Sequence, residues 1–355
     1  MRPPERDLRR QVQNREMNRI HSQLNRFLKK ATRTKEALFG GGIDFSRPDA
    51  VQIEPTIRCN LSCAVCNDDI KKRTATKEMN FELFKLIVDQ LPYLREINLT
   101  GYGEPLLNKD IFQMLSYATS KHIFLYFATN ATLLDGAMAK KVIDSGLDLI
   151  IFSIDSAVPD EYENIRQGAN FARVKEHISD FMKLLRESDA KTRVEMYSVV
   201  TFSRVRGLRG LVELAEELGI NRLKIAALYD HSGKSKEYSR EALYHPSNVE
   251  LSEKLLGEAK DYAEEKGIVL FYPSLHPIEY QCRMPSQRPY ITVEGYVTPC
   301  CLQGLDPRNY TFGNVLEEKF MKIWTNRRYR EFRKALFSPN PPGICVACPR
   351  LKGMA

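Results

Sequence analysis

The chain has 355 residues, 43% of them hydrophobic, a size and composition typical of a globular protein with one large and one smaller domain. No apolar run is long enough to span a bilayer, and the charged N-terminal sequence excludes a secretory signal, so we predict a cytoplasmic protein. The formal charge of +8 does not describe the whole surface, because residues 1–38 carry eleven Lys and Arg against four Asp and Glu.

The N-terminal segment, residues 1–42, is predicted to be a basic amphipathic helical extension. Its apolar residues recur at helical intervals among the basic ones, namely Leu8, Val12, Ile20, Leu24, Phe27, Leu28 and Ala31, and three glycines, 40–42, end the pattern. Three interpretations of this helix are open: it packs on the rest of the protein, it binds an acidic partner or substrate, or it lies on a membrane surface. Nucleic-acid binding is disfavoured, because Phe27 is the only aromatic residue in positions 1–38.

Residues 43–272 alternate strand and helix patterns. The predicted strands are 51–53, 96–99, 123–128, 147–154, 194–200, 223–228 and 268–272, and the predicted helices are 81–91, 111–120, 137–145, 171–185, 208–218 and 249–263. Such repeats predict parallel strands with right-handed crossovers. Six units are fewer than a closed barrel needs, so we predict an α/β fold with a partial (β/α)6 barrel, and a doubly wound sheet is the alternative.

Three cysteines follow the first predicted strand directly, in a C-x₃-C-x₂-C spacing at Cys59, Cys63 and Cys66. Thiolates this close favour a shared soft metal centre. No histidine lies near to complete a zinc site, so an iron–sulfur cluster with one iron left open is the preferred interpretation. Three buried structural cysteines are the remaining alternative.

Polar residues follow several of the predicted strands. A Gly101-Tyr102-Gly103-Glu104 turn comes after the second strand; its glycines would permit close approach to a ligand, although a simple tight turn would look the same. Later strands end at Thr129-Asn130 and at Ser153, Asp155 and Ser156, of which the last two are also candidate helix caps. These positions indicate a ligand across the mouth of the barrel.

Together these motifs resemble the radical S-adenosylmethionine (SAM) enzymes over residues 47–272. The resemblance implies a [4Fe–4S] cluster on Cys59, Cys63 and Cys66, whose open iron takes the amino and carboxylate groups of SAM. It also implies cofactor-binding roles for Gly101, Gly103, Glu104, Thr129, Asn130, Ser153, Asp155 and Arg166, with Glu104 receiving the methionine amino group and Arg166 lying near its carboxylate. A low-potential electron donor such as flavodoxin or ferredoxin is implied as a partner.

The remaining five cysteines lie in residues 273–355, predicted to form a small cluster-binding α+β domain. A hairpin around Glu294-Gly295 is expected to bring Cys282 and Cys300 together. With Cys345 and Cys348, these residues resemble the SPASM/Twitch extension of the same superfamily, which implies a second, auxiliary [4Fe–4S] cluster. Cys301 is then spare or competes with Cys300 as the ligand, and a structural zinc ribbon is the alternative.

The resemblance implies reductive cleavage of SAM to a 5′-deoxyadenosyl radical that abstracts a substrate hydrogen. An auxiliary cluster near the substrate favours a two-electron oxidation, for which we predict a small carbohydrate-like or aminocyclitol alcohol, since residues 1–40 are too short for a leader-peptide-binding domain. The alternatives are a peptide or protein side-chain maturase, a redox-neutral epimerase or rearrangement, and a non-enzymatic nucleic-acid or partner-binding protein. No catalytic acid or base is assigned; Tyr229, Asp230 and His231 follow the sixth strand and are more simply a polar loop.

Overall fold

One mixed sheet of ten strands carries the fold. The computed structural model describes residues 47–66, 78–229, 239–277, 282–301, 310–346, 348–351 and 353–354, so the predicted N-terminal helix and Asp230-His231 lie outside the described residues. Residues 47–355 belong to one compact unit. The strands are β1 (Ala50–Ile53), β2 (Ser62–Cys63), β3 (Glu96–Asn98), β4 (Phe124–Thr129), β5 (Leu149–Ser153), β6 (Arg166–Gln167), β7 (Arg193–Val200), β8 (Arg222–Ala227), β9 (Val269–Phe271), β10 (Tyr290–Ile291), β11 (Tyr296–Thr298) and β12 (Gly313–Asn314).

The large sheet runs in the order β12-β11-β10-β1-β3-β4-β5-β7-β8-β9, and every pair from β10 to β9 is parallel. The seven predicted strands are thus confirmed as β1, β3, β4, β5, β7, β8 and β9, in an open, partial barrel. Their carboxyl ends meet at one edge, which is where parallel α/β folds place their sites.

The helices between the strands are α1 (Phe81–Asp89), α2 (Ile111–Ser120), α3 (Gly136–Asp144), α4 (Pro159–Ile165), α5 (Phe171–Glu187), α6 (Leu208–Glu217), α7 (Val249–Glu265) and α8 (Met284–Gln287). Three more follow β12: α9 (Phe320–Thr325), α10 (Arg327–Ala335) and α11 (Gly343–Val346). The six predicted helices are α1, α2, α3, α5, α6 and α7, each within about two residues of its predicted ends. Asn80 caps α1 by accepting from the Leu83 backbone NH at 2.9 Å.

The alternation of side chains separates two faces of the barrel sheet. In β1, Val51 and Ile53 are fully buried in the core under the helices, so Gln52 points to the opposite, inner face. The same alternation in β8 buries Leu223 and Ile225 in the core and turns Lys224 inward. The inner face therefore carries polar side chains, which a ligand chamber requires and a packed core does not.

The C-terminal strands extend the barrel sheet, since β10 pairs in parallel with β1, while β11 and β12 add antiparallel strands beyond it. The predicted hairpin is present, with Ile291 opposite Val297 and Gly295 at a φ of +84° in its turn. Behind it, the buried Arg333 guanidinium lies 4.2 Å from the ring centre of Trp324 and 4.3 Å from that of Tyr329. None of the helices in the described ranges has the length and apolarity to cross a membrane.

Candidate active site

The first cysteine group lies on a loop that leaves β1 and is tied to a later part of the chain. β2 and β6 form a two-stranded antiparallel ladder in which Cys63 pairs with Arg166, and the Ala64 backbone NH donates to the Ile165 carbonyl at 2.8 Å. Sequence reasoning did not predict β2, α4 or β6, because elements this short have no periodicity. The ladder places Arg166 beside the cysteine motif.

Glu104 is buried at the next strand end and holds three donors. Its carboxylate accepts from the Thr129 hydroxyl at 2.8 Å, the Asn130 backbone NH at 2.8 Å and the Leu106 backbone NH at 3.2 Å. Burial raises the pKa of the Glu104 carboxyl, and these hydrogen bonds oppose that rise by favouring the carboxylate. Thr129 and Asn130 thus fix the orientation of Glu104, a positioning role that the sequence did not reveal.

Asp155 and Arg166 form a buried ion pair, with Oδ2 and Nη2 2.8 Å apart. The other Asp155 oxygen accepts from the Val199 backbone NH at 2.8 Å, so the prediction of Asp155 as a helix cap is wrong. Ser156 does accept from the Val158 backbone NH, at 3.1 Å, just before α4 begins. Arg166 Nε is buried and has no hydrogen-bond partner in the described part of the chain, so the guanidinium keeps a donor for a ligand.

A cavity of about 240 Å³ brings these groups together at the carboxyl ends of the strands. The predicted site residues that line it are Cys59, Cys63, Cys66, Gly101, Gly103, Glu104, Thr129, Asn130, Ser153 and Arg166. Asp155 does not line it, but it pairs with Arg166, which does. A buried carboxylate and a guanidinium with a free donor, beside three thiols, fit an amino acid moiety held next to a metal cluster.

The two glycines of the turn line the cavity and also have a packing role that was not predicted. A Cβ atom at Gly103 would lie 2.4 Å from the Arg58 carbonyl oxygen and 2.5 Å from that of Thr56, and one at Gly101 would lie 2.5 Å from Glu54 Cγ. The turn therefore lies so close to the segment between β1 and the cysteines that a side chain at either glycine would clash with that segment. The glycines let the Glu104 turn pack directly against the cysteine loop.

The surroundings of the three thiols suit an iron–sulfur cluster. Cys59 Sγ has the Leu61 backbone NH at 3.5 Å and Asn130 Nδ2 at 3.9 Å, the kind of donors that surround cluster sulfurs. Burial raises the pKa of the Cys63 thiol to about 11, with the charge of Arg166 opposing.

The second cysteine group surrounds a smaller cavity, about 20 Å³, lined by Cys282, Cys300, Cys345 and Cys348 together with Arg350. Cys301 does not line this cavity. Burial raises the pKa of the Cys301 thiol, and the charge of Arg350 opposes that rise. All eight cysteines are free thiols. This arrangement supports Cys300, and not Cys301, as the fourth member of the C-terminal group.

Tyr102 joins the two cysteine groups. Its hydroxyl donates to the carbonyl oxygen of Cys301, and its backbone NH donates to Glu54 Oε1 at 3.3 Å. The C-terminal cysteine segment is therefore held over the end of the barrel that carries the first cavity. Sequence reasoning missed Tyr102, Gln52 and Glu54. The last two alternate with the apolar residues of β1, a pattern that already indicates that their side chains point into the barrel.

A larger cavity of about 760 Å³ lies between α1 and the strands β11 and β12. It is lined by residues such as Glu82, Asp89, Glu294 and Leu316, and none of the cysteines contributes to it. Although this cavity is larger, we assign the reaction site to the smaller cavity, because that one contains the first cysteine group.

Comparison with known proteins assigns both cysteine groups to families. Residues 53–197 match the model of the radical SAM superfamily, and residues 282–349 match that of the SPASM iron–sulfur cluster-binding domain. These two ranges contain both groups of cysteines in the chain.

Two curated relatives cover most of the chain. One is the tungsten-containing aldehyde ferredoxin oxidoreductase cofactor-modifying protein of Pyrococcus furiosus, 27% identical over 79% of this chain and 82% of that protein. The other is the PqqA peptide cyclase of Rhizobium meliloti, 24% identical over 86% of this chain and 80% of that protein. Among solved structures, Streptococcus suis SuiB bound to the precursor peptide SuiA is 18% identical, has a TM-score of 0.64 and covers 87% of this chain and 71% of that one, which shows a shared fold.

Proposed function

Because the chain belongs to the radical SAM superfamily and carries a SPASM iron–sulfur domain, we propose that it oxidises a C–H bond of an organic substrate held in its barrel. Its cofactors are SAM, the [4Fe–4S] cluster of the radical SAM domain and auxiliary iron–sulfur of the SPASM domain. When bound, the first cluster supplies the electron that cleaves SAM, and auxiliary iron–sulfur offers an acceptor for the electron left on the substrate.

Different residues of the chain bind the two clusters and SAM. Cys59, Cys63 and Cys66 hold the first cluster, and Cys282, Cys300, Cys345 and Cys348 hold an auxiliary one. Glu104, a buried carboxylate fixed by three donors, binds the methionine amino group, and Arg166, with its free Nε donor, binds the methionine carboxylate. Asp155 keeps the Arg166 guanidinium oriented.

One observation carries the proposal of a net oxidation. The hydrogen bond from the Tyr102 hydroxyl to the Cys301 carbonyl holds the C-terminal cysteine segment against the same turn that carries Glu104. An electron acceptor bound by that segment would lie at the mouth of the barrel where the substrate reacts. This proximity favours a two-electron oxidation over a redox-neutral rearrangement.

The chemical class of the substrate is a prediction. A small alcohol is the first candidate, as the sequence indicated. A peptide or protein side chain is the second candidate, supported by the similarity to a PqqA peptide cyclase and by the fold shared with SuiB, which was solved with its precursor peptide.

An untargeted mass-spectrometric experiment tests the oxidation. Reconstituted enzyme, SAM and reductant are incubated anaerobically with separate small-molecule and peptide extracts, with the Cys63→Ala variant as the control. We expect a product lighter than its precursor by two hydrogen atoms, formed only by the wild-type enzyme. A product of unchanged mass would overturn the oxidation and indicate an isomerisation.

A further inference from the structure

The surface helix α10 carries five basic residues and one acidic residue in its nine positions. Three of the basic residues, Arg327, Arg330 and Lys334, recur at intervals of three and four residues and therefore form one exposed stripe, the basic stripe of α10. Only Arg327 of this stripe has an ion pair in the described part of the chain, with Glu331 at 2.7 Å. The other two positive charges face solvent.

A depression of about 300 Å³ lies on the adjacent face of the same helix. The residues that line it include Tyr310, Phe332, Ala335 and Pro342, with Arg328 and Glu331. Arg328, Glu331 and Ala335 each follow a residue of the basic stripe directly in the chain, so the depression and the stripe are neighbours on the helix surface. Because Tyr310 is 40% exposed, the depression presents an aromatic surface to a partner.

The depression lies next to the cavity of the second cysteine group. Phe332 lines the depression and Leu336 lines the cysteine cavity, and the Leu336 backbone NH donates to the Phe332 carbonyl at 3.2 Å. On the other side, Pro342 lines the depression, and its carbonyl accepts from the Cys345 backbone NH at 2.7 Å. Since one helical turn rises about 5.4 Å, a protein seated in the depression would come close to the four cysteines.

The proposed oxidation releases an electron that a carrier protein can collect at this surface. Of the two hydrogen atoms removed from the substrate, one goes to the 5′-deoxyadenosyl radical, and the other leaves as a proton to solvent and an electron to the auxiliary iron–sulfur site. Each SAM cleavage consumes one electron, and each substrate oxidation returns one. A one-electron carrier that takes the electron at the C-terminal cysteine group, and in its reduced form supplies the next SAM cleavage, therefore balances the cycle.

We propose that the basic stripe and the depression of α10 bind an acidic one-electron carrier protein, which exchanges electrons with the auxiliary iron–sulfur site of the C-terminal cysteine group. The inference rests on the proposed function, since the electron comes from the oxidation. Cations beside a small apolar centre would steer and orient an acidic partner in a transient encounter, as electron transfer requires. A nucleic acid is disfavoured, because its phosphates need a longer basic track than this stripe.

Carbodiimide cross-linking of the wild-type holoenzyme to an acidic flavodoxin maps the surface without relying on turnover. The reagent joins a carboxylate to a lysine that contacts it, and peptide mass spectrometry identifies the lysine. We expect Lys334 to be joined to the flavodoxin and the exposed Lys254 on α7 not to be joined. Cross-links at other lysines only would overturn the proposal.

Charge reversal measures what the basic stripe contributes to binding. The double variant Arg330→Glu/Lys334→Glu is compared with Lys254→Glu/Lys260→Glu on α7, which changes the net charge of the protein equally at two other exposed lysines. Calorimetric titration with flavodoxin at low salt should give a Kd raised about tenfold by the first variant and less than about twofold by the second. Added salt should narrow the difference, because it screens exposed charges.

Equal Kd values for the two double variants would overturn the proposal. A single-stranded oligonucleotide is titrated into the same variants; if it loses affinity on reversal of the stripe and flavodoxin does not, the surface binds nucleic acid and the proposal is also overturned. The cross-linking applies even if a double variant does not fold, since it uses the wild type. SAM cleavage with a chemical reductant needs no carrier protein, so its failure would count against the proposed function alone.

Discussion

Replacing Gly103 by alanine should destabilise the protein, because the turn that carries Glu104 packs on backbone. The new Cβ would lie 2.4 Å and 2.5 Å from the carbonyl oxygens of Arg58 and Thr56, whereas Cβ atoms are essentially never found within 3.0 Å of such a neighbour, so the turn must shift. Those carbonyls also accept from the Glu104 and Gly103 backbone NH groups at 2.8 Å and 3.2 Å. Losing both hydrogen bonds, with the strain of the added methyl, should cost about 2–4 kcal/mol.

Urea unfolding followed by circular dichroism measures this cost, with Gly257→Ala as the matched control. Gly257 lies inside α7, and a Cβ there meets nothing within 4 Å, so alanine should raise the free energy of unfolding by about 0.5–1 kcal/mol. Gly103→Ala should also weaken SAM binding, because the shift moves Glu104. If Gly103→Ala unfolds at the same urea concentration as the wild type, the packing argument is refuted.

Two further predictions concern the ion pair and the second cysteine group. Asp155→Ala leaves the Arg166 guanidinium buried without its carboxylate and should lower the free energy of unfolding by about 3–5 kcal/mol, whereas Asp144→Ala, at an exposed pair, should change it by less than about 1 kcal/mol; equal effects would contradict the assignment. Iron analysis should find about eight irons per chain in the wild type and in Cys301→Ser but about four in Cys300→Ser, and the reverse pattern would make Cys301 the ligand.

The barrel was predictable because its strands and helices are long and strongly periodic. The run 193–200 and the amphipathic helix 171–187 bury one clear face each, so propensity and tertiary packing agree. The first cysteine motif was equally visible, since three thiols so close together in the chain are typical of a shared metal centre.

The site was only partly predictable, because its assembly depends on contacts distant in sequence. Glu104 could be placed at a strand end, but its fixation by Thr129 and Asn130, 25 and 26 residues later, follows from the register of β3 and β4. The pairing of Cys63 with Arg166 depends on a two-residue ladder that no local pattern predicts.

The most distant relationships were invisible in the sequence. Tyr102 contacts Cys301 across 199 residues, and the C-terminal hairpin joins the barrel only because β10 pairs with β1. Cys300 lines the C-terminal cysteine cavity and the adjacent Cys301 does not, a difference that no local sequence pattern predicts.

Formation of 5′-deoxyadenosine tests the account most directly. Wild-type protein, reconstituted anaerobically with iron and sulfide and supplied with a strong reductant, should convert SAM to 5′-deoxyadenosine and methionine, as measured by liquid chromatography. The exposed-surface variant Lys254→Met should match it, and Cys63→Ala should give no more than the protein-free background. A Cys63→Ala variant as active as the wild type would contradict the assignment of the first cysteine group as the site of SAM cleavage.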